Sequence, residues 1–427
     1  MNRCLVVGGG PAGMMTGYLL ARAGVDVLVL EKHADFFRDF RGDTIHPSTL
    51  ELMHELGLLD DFLKLPHQEL REIRGNFNGH LVPIADFSRL PTHCKFIALM
   101  PQWNFLNFLA TEAKKFPTFA LHMQHEVVDL LFDNANHDQQ LFNNSRKLDG
   151  FKPSSLREAR VVGVRAKTPE GIVDLRADLV IGADGRSAIT RARGGFEVRD
   201  FGAPIDALWM RLSKRANDPE QSLGFFRHGK LLVLLDRGDY FQVGFVIPKD
   251  GFDEMKQRGL DALHRDIVAL GPFLHDRMNE LDDWSKIKLL TVQINRLTKW
   301  CRDGLLCIGD SAHAMSPAGG VGINLALQDA VATVNLLAAK LKRGPVALAD
   351  LEQVQARREW PTRVIQRMQV FVHRFAVTGR ETKGDDILPF PIRMLQWFPI
   401  LRSIPARLIG LGPRPEQIRS PATIVRD

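Results

Sequence analysis

The sequence predicts an α/β fold: a parallel sheet, an inserted mixed β-sheet and a C-terminal helical region. Three observations support this. The chain opens on an apolar run, Cys4-Leu5-Val6-Val7, that stops at glycines and leads into a small-residue helical stretch. Two later apolar runs, Leu179–Ile181 and Leu305–Ile308, end the same way, at Gly182-Ala183-Asp184-Gly185 and at Gly309-Asp310. Between these two runs, Leu231–Leu235 and Tyr240–Ile247 alternate and are joined by Asp236-Arg237-Gly238-Asp239, which predicts an antiparallel hairpin.

The opening turn has the spacing G-x-G-x-x-G from Gly8 to Gly13. Gly8 suits a tight turn, Gly10 lets a pyrophosphate approach the backbone, and Gly13 lets the helix sit close to its strand. The N-terminus of that helix, predicted over 14–23, offers N–H groups and a positive dipole end to phosphate. A second strand, Val25–Leu30, ends in Glu31, where a carboxylate meets a ribose hydroxyl. Together these predict a Rossmann-like dinucleotide-binding unit.

Bulk properties narrow the class. The 427 residues are 45% hydrophobic, enough for a large core, and the net charge of +6 is modest. No nucleic-acid motif accompanies the basic residues, so nucleic-acid binding is not expected. Cys4, Cys94, Cys301 and Cys307 form no C-x-x-C pair, and no metal site is expected; a reduced, cytoplasmic protein is the expectation. The first strand begins close to Met1, which argues against a signal peptide, and no long uncharged apolar stretch predicts a spanning helix.

Along the chain, helices are expected over 44–56, with Gly57 as C-cap, and over 104–115. Asn78-Gly79 signals a hairpin turn, and 119–132 reads as strands. Asp133–Glu158 is polar and reads as an extended surface loop. Helices follow over 253–282 and 324–342. The tail, 390–411, mixes Leu, Ile, Phe and Trp with Arg393, Arg402 and Arg407. It suits packing back on the body, a dimer contact or an anionic membrane surface.

In the second glycine segment, a strand-end carboxylate at Asp184 suits a ribityl or ribose hydroxyl, or merely an Asp-Gly turn. In the third, Gly304–Asn324, the strand ends at Gly309-Asp310, and Gly319-Gly320-Val321-Gly322 opens a helix whose start suits partial negative charge on a ring system. His313, beside Asp310, suits acid–base catalysis, but reads first as a packing residue that orders the turn. In order and spacing, these three segments resemble the FAD-dependent aromatic hydroxylases, single-component flavoprotein monooxygenases related to p-hydroxybenzoate hydroxylase and the ubiquinone-biosynthesis hydroxylases. The resemblance covers roughly residues 1–345. It implies a glutathione-reductase-type FAD-binding domain made of 1–70, 100–195 and 290–345. A substrate-binding sheet domain would comprise 71–99 and 196–289, and a C-terminal helical region 346–427.

The resemblance also implies roles. Gly8, Gly10, Pro11, Ala12 and Gly13 would hold the FAD pyrophosphate, with Glu31 and Lys32 at the adenosine ribose. Arg41 and Gln102 match cofactor-facing positions, and Val127 matches a strand residue whose backbone meets adenine. Asp184 would belong to the family's Asp-Gly motif, linked to both FAD and NAD(P)H, and Asp310 would bond the ribityl chain or pyrophosphate region. Pro317, Gly320, Val321, Gly322, Ile323 and Asn324 would lie along the flavin, with Pro317 and Gly320 at its reacting edge. Two positions depart from the family pattern: Ala188 stands where Ser is frequent, and Val321 where Gln is frequent. Either bears on nicotinamide docking or flavin mobility.

The implied activity is a monooxygenase that uses FAD, NADH or NADPH, and O2 to hydroxylate or epoxidise an aromatic or hydrophobic small molecule through a C4a-hydroperoxyflavin. Phe77, Phe87, Phe225, Phe226, Leu232, Leu234, Phe241 and Phe245 are candidates for an apolar substrate wall. His80, His93 and His228 lie in the same region, and none stands out as a base. Halogenation is not expected, because Val243 and Phe245 occupy the tryptophan positions of the halogenase W-x-W-x-I-P segment. A flavin-dependent reductase of an isoprenoid-like substrate and a non-catalytic flavin-binding assembly protein remain as alternatives. A monomer or homodimer is expected, with membrane contact only at the periphery, through the tail.

Overall fold

The computed structural model describes residues 2–37, 44–133, 159–219, 223–227, 229–378 and 390–423. Arg41, His228 and nearly all of the polar loop after Asp133 lie outside the described residues. The chain opens with strand β1 (Asn2–Val7), helix α1 (Pro11–Arg22) and strand β2 (Val27–Leu30). Helix α1 starts three residues earlier than its periodicity predicts. Pro11 explains this: its φ is already helical, and it lacks the N–H that a first turn leaves unpaired. The same rule corrects the next helix. Thr44–Ile45 is a short strand, His46 is the N-cap, and α2 (Pro47–Glu55) begins at proline. Gly57 closes it in the left-handed region, at φ 72°.

Strands β3 (Phe119–His122), β4 (Gly171–Gly182) and β5 (Leu305–Cys307) complete the parallel core, in the order β3–β2–β1–β4–β5. All five C-terminal ends therefore share one edge, where an open α/β sheet binds ligands. The N-terminal half of β4 also pairs antiparallel with Val161–Thr168, which pairs with Glu126–Phe132. Helix α3 (Gly322–Leu341) packs against α1. The stretch Ala318–Leu341 is long and apolar enough to cross a membrane, which the sequence reading had not expected, but 83% of its most apolar window is buried inside the protein.

A second, seven-stranded sheet contains Glu72–Phe77, His80–Asp86, Ile205–Ser213, Leu223–Arg227, Lys230–Asp236, Tyr240–Pro248 and Lys288–Leu290. The predicted hairpins are present, and Asn78 and Gly79 take positive φ at their turn. One face of this sheet is sealed by the helical layer over 252–280: Leu208, Met210, Phe225, Leu232, Leu234, Phe241 and Phe245 form a continuous core with Leu263, Ile267 and Leu274.

The long helix α4 (Leu348–Thr378) crosses the other face, where Val370 packs near Val246. Finally α5 (Ser403–Gly410) folds back on the sheet edge, burying Ala406 against Phe87 and Leu90.

Candidate active site

The C-terminal ends of β1, β2, β4 and β5 bring the predicted segments together. Gly8 has φ 104°, and a Cβ there would lie 2.4 Å from the Ala183 carbonyl oxygen; one on Gly13 would lie 1.9 Å from the Gly8 carbonyl oxygen. Both glycines are thus required by the protein itself. Gly10 differs: among the described residues, nothing lies within 4 Å of a Cβ there. The turn keeps a space above Gly10 at the start of α1, where first-turn N–H groups lack intrahelical partners. Pro11 and Ala12 form that first turn.

Glu31 closes the turn from the side. Its carboxylate accepts from Gly9 N at 2.9 Å and from His33 N at 3.0 Å, so Gly9 joins the site although the motif leaves that position open. Lys32, next to it, is exposed. Gln102 starts the helix Gln102–Ala113 and is half-buried. The Val127 side chain lies in the core on Glu126–Phe132, opposite Ala166. Asp184 binds the short helix Ile189–Arg193: it accepts from Thr190 N at 3.0 Å and from Thr190 Oγ1 at 2.6 Å. Burial pushes its carboxyl above the ordinary range. Asp310 accepts from Arg186 Nε at 3.2 Å, which links the second and third segments.

The third segment is braced from beneath by groups that no local pattern reveals. Gly309 N donates to Asp329 Oδ2 at 3.0 Å. The same buried carboxylate pairs with His313 Nε2 at 2.5 Å and Arg358 Nε at 3.0 Å, and Arg358 also reaches Glu416. Burial disfavours the Asp329 charge, but His313 and Arg358 outweigh it and hold the carboxyl low. His313 is thus the packing residue expected.

After Pro317, Gly319 and Gly320 take φ 79° and 63°; a Cβ on Gly320 would lie 2.4 Å from Thr44 Oγ1. Thr44 donates to the Gly320 carbonyl at 3.2 Å. Val321 is buried beside Met315, Leu325 and Ile365, and Gly322 and Ile323 begin α3. Asn324 Oδ1 accepts from Thr49 Oγ1 at 2.8 Å, while its buried Nδ2 has no partner among the described residues. The space above Gly10, the open helix start and this spare donor fit an extended dinucleotide carrying a polar ring.

The apolar wall predicted from sequence needs correction. Phe225, Leu232, Leu234, Phe241 and Phe245 face the helical layer, and Phe87 packs under the tail. Because side chains alternate, the accessible face carries the intervening residues. One register row across it reads Trp209, Gly244, Val233, Gly224, Gly75. Phe77 and Phe226 stack beside that row with ring centroids 4.6 Å apart. The indole of Trp209 covers Gly244, whose Cβ would stand 3.2 Å from the ring. His80 and His93 are exposed, and His93 pairs with Glu51, away from this row.

Two buried histidines make acid a destabilising condition. Burial lowers His46 and His373 from 6.5 to about 4. Each folded value lies below the unfolded one, so their contribution is full above about pH 6.5 and is lost as pH falls through 4. The slope is about 1.4 kcal/mol per pH unit for each group. We expect the urea midpoint to fall between pH 7 and pH 5, and His373→Gln to flatten that slope. An unchanged slope in this variant would contradict the assignment.

Comparison with known proteins supplies the family. A family model described as an FAD binding domain matches residues 2–151 and 154–368. The 6-methylpretetramide 4-monooxygenase of Streptomyces rimosus is 31% identical over 424 residues, covering 97% of this chain and 93% of that protein. A rifampicin monooxygenase of Streptomyces venezuelae is 27% identical over 340 residues, covering 76% of this chain; the match spans only 62% of that longer relative. The crystal structure of p-nitrophenol 4-monooxygenase PnpA from Pseudomonas putida superposes with a TM-score of 0.72 at 20% identity, over 97% of this chain and 99% of that one, a likeness of fold. With its glycine turns at the ends of β1 and β5 and a family match through most of its length, the chain belongs to the FAD-binding-domain family of NAD(P)H-dependent aromatic monooxygenases.

Proposed function

We propose that the substrate is an elongated, planar, fused-ring aromatic compound, hydroxylated on the accessible face of the mixed sheet. The row of ring-covered glycines supports this most strongly. Gly244, Val233, Gly224 and Gly75 sit on adjacent strands. At about 4.8 Å per strand they span roughly 15 Å, and the rings of Trp209, Phe226 and Phe77 lie over Gly244, Gly224 and Gly75. One ring would meet a single one of these aromatic side chains, whereas several fused rings would lie against all three.

In this reading 1–70, 100–195 and 290–345 carry the cofactor, 71–99 and 196–289 the substrate, and 346–427 encloses both. Bound FAD would supply the redox chemistry that links NAD(P)H and O2 to hydroxylation of the substrate. The chain's own residues position and protect. The N–H groups at Gly10–Gly13 hold the pyrophosphate, Glu31 and Lys32 the adenosine ribose, and Gln102 and Val127 the neighbouring parts. Asp184 and Asp310 set the sugar and ribityl end through Thr190 and Arg186. Pro317–Asn324 lies along the ring, where the start of α3 favours negative charge. Trp209 and α4 exclude water from the reacting edge.

Gly224→Leu tests this row. The strand backbone accepts leucine, and a Cβ would stand 3.2 Å from the Phe226 ring and 4.0 Å from Leu231 Cδ1. The variant should keep its FAD, while a fused-ring phenol should stimulate NAD(P)H oxidation with a KM raised at least about thirtyfold, the cost of two kcal/mol of lost contact. Unchanged stimulation would place the substrate elsewhere.

The tail supports a second role. Phe390, Trp397, Phe398, Ile400 and Ile404 are each more than half exposed, and 390–411 holds three arginines and no acid. We propose peripheral contact with an anionic bilayer. Co-sedimentation with phosphatidylserine vesicles, lost in Phe398→Asp/Ile400→Asp, would support it. No sedimentation, with concentration-dependent dimers lost in the same variant, would instead assign the face to a second copy.

A further inference from the structure

Arg186 stands beside the glycine turn at the opening of the chain. It follows Asp184-Gly185 at the end of β4, and the Asp184 Cα lies 2.9 Å from where a Cβ of Gly8 would stand. Its Nε donates to Asp310 Oδ2 at 3.2 Å. Asp310 follows Gly309, whose Cβ would stand 3.1 Å from the Ala12 Cβ in the first turn of α1. The ion pair thus joins two stretches of backbone that both touch the turn from Gly8 to Ala12. It is open to ligands: the two side chains are 31% and 34% exposed, and among the described residues nothing lies within 4 Å of a Cβ on Gly10 or Gly185. Nη1 and Nη2 of Arg186 find no acceptor among the described residues. The loop is braced from behind, because Arg191 donates to the Arg186 carbonyl and, at 3.4 Å, to Asn295 Oδ1.

We infer that Arg186 binds the FAD pyrophosphate: it holds Asp310 through Nε and donates from Nη1 and Nη2 to phosphate oxygens. This rests on the reading that Gly10–Gly13 hold the pyrophosphate. Charge balance selects the ligand. The glycine turn has no cation of its own, since Gly8–Thr16 contains neither lysine nor arginine. The start of α1 offers only a partial positive charge, whereas a pyrophosphate carries two full negative ones. Asp310 adds a further negative charge at the same edge, and like charges this close repel. One guanidinium resolves the conflict, because its rigid fork of donors can hold a carboxylate on one edge and a phosphate on the other. Asp310 can then serve the ribityl end without driving off the diphosphate beside it.

Two variants test the charge. Arg186→Gln removes it, and Arg186→Lys keeps it without the fork. The full-length apoproteins are titrated with FAD and with riboflavin, which has no phosphate, at low and high KCl, and their thermal melts are compared. We expect Arg186→Gln to melt like wild type and to bind FAD about thirtyfold more weakly at low salt, the loss shrinking at high salt as the part-exposed charge is screened. Riboflavin affinity should not change, and Arg186→Lys should stay within about fivefold of wild type for FAD. Unchanged FAD affinity in Arg186→Gln, a loss that riboflavin shares, or an equal loss in Arg186→Lys would overturn the proposal and leave Arg186 as a brace for Asp310. A raised NADPH dissociation constant in anaerobic flavin reduction, with FAD affinity kept, would also overturn it and assign the cation to the phosphates of the reductant. Failure of the glycine-turn reading is distinguishable, because Gly10→Ala would then also leave FAD affinity unchanged.

Discussion

Gly10→Ala should leave the apoprotein as stable as wild type and weaken FAD binding by about a hundredfold, on the order of 3 kcal/mol. The two halves of this expectation have different causes. Within the protein, a Cβ at Gly10 meets nothing within 4 Å among the described residues, and the φ of −72° there is open to alanine. Alanine also reduces the freedom of the unfolded chain, offsetting its weaker helix capping. The methyl group therefore matters only if something else occupies the space, and a pyrophosphate drawn to the α1 N-terminus is what the motif is shaped for. Gly13→Ala is the contrasting control. Its Cβ would lie 1.9 Å from a backbone oxygen, so that variant should lose stability and flavin together. Equilibrium titration with FAD, beside thermal melts of the apoproteins, distinguishes them. A Gly10→Ala protein with wild-type affinity would contradict the cofactor placement.

Asp329→Ala should cost about 3–5 kcal/mol of stability, the cost of unpairing buried charges, and lower FAD retention as well. Asp329 is fully buried in α3 and binds Gly309 N, His313 and Arg358 together. Removing it strands the Arg358 guanidinium, which is left with Glu416 and the Arg414 carbonyl. It also frees Gly309, whose positive φ of 58° sets the turn that carries Asp310. Arg358→Met should produce a similar loss. The double variant should be less destabilised than the sum of the two, because each single change already breaks the shared network. Denaturant titration measures the stabilities, and flavin absorbance the retention. Additive losses would show that the groups do not act as one network.

Local rules made the opening turn legible in the sequence. Gly13 answers to Gly8 five positions away and Gly10 to the ligand, while Gly8 is demanded both by its own tight turn, at φ 104°, and by the distant Ala183 carbonyl; Glu31 follows at the end of the next strand. The sheet and its hairpins were legible for the same reason. What holds the flavin-facing turn was not. Thr44 meets Gly320, His46 meets Ile409, and Thr49 meets Asn324 across more than 270 positions, and such pairings leave no periodic trace. Asp329 sits inside an apolar helix, where a lone carboxylate carries no signal of its partners. The substrate wall was misread for a different reason. Alternation along Leu231–Leu235 and Tyr240–Ile247 reveals that there are two faces. Which face the helices over 252–280 cover is decided by tertiary packing, and the bulkiest residues went to that covered side.

The most direct test of the central claim uses the holoenzyme with NAD(P)H, a fused-ring phenol and isotopically labelled O2, with the product read by mass spectrometry. The account predicts one labelled oxygen atom in the product and coupled nicotinamide oxidation that depends on the aromatic compound. Nicotinamide oxidation that returns all the oxygen as hydrogen peroxide, or a reduced product without the label, would contradict it.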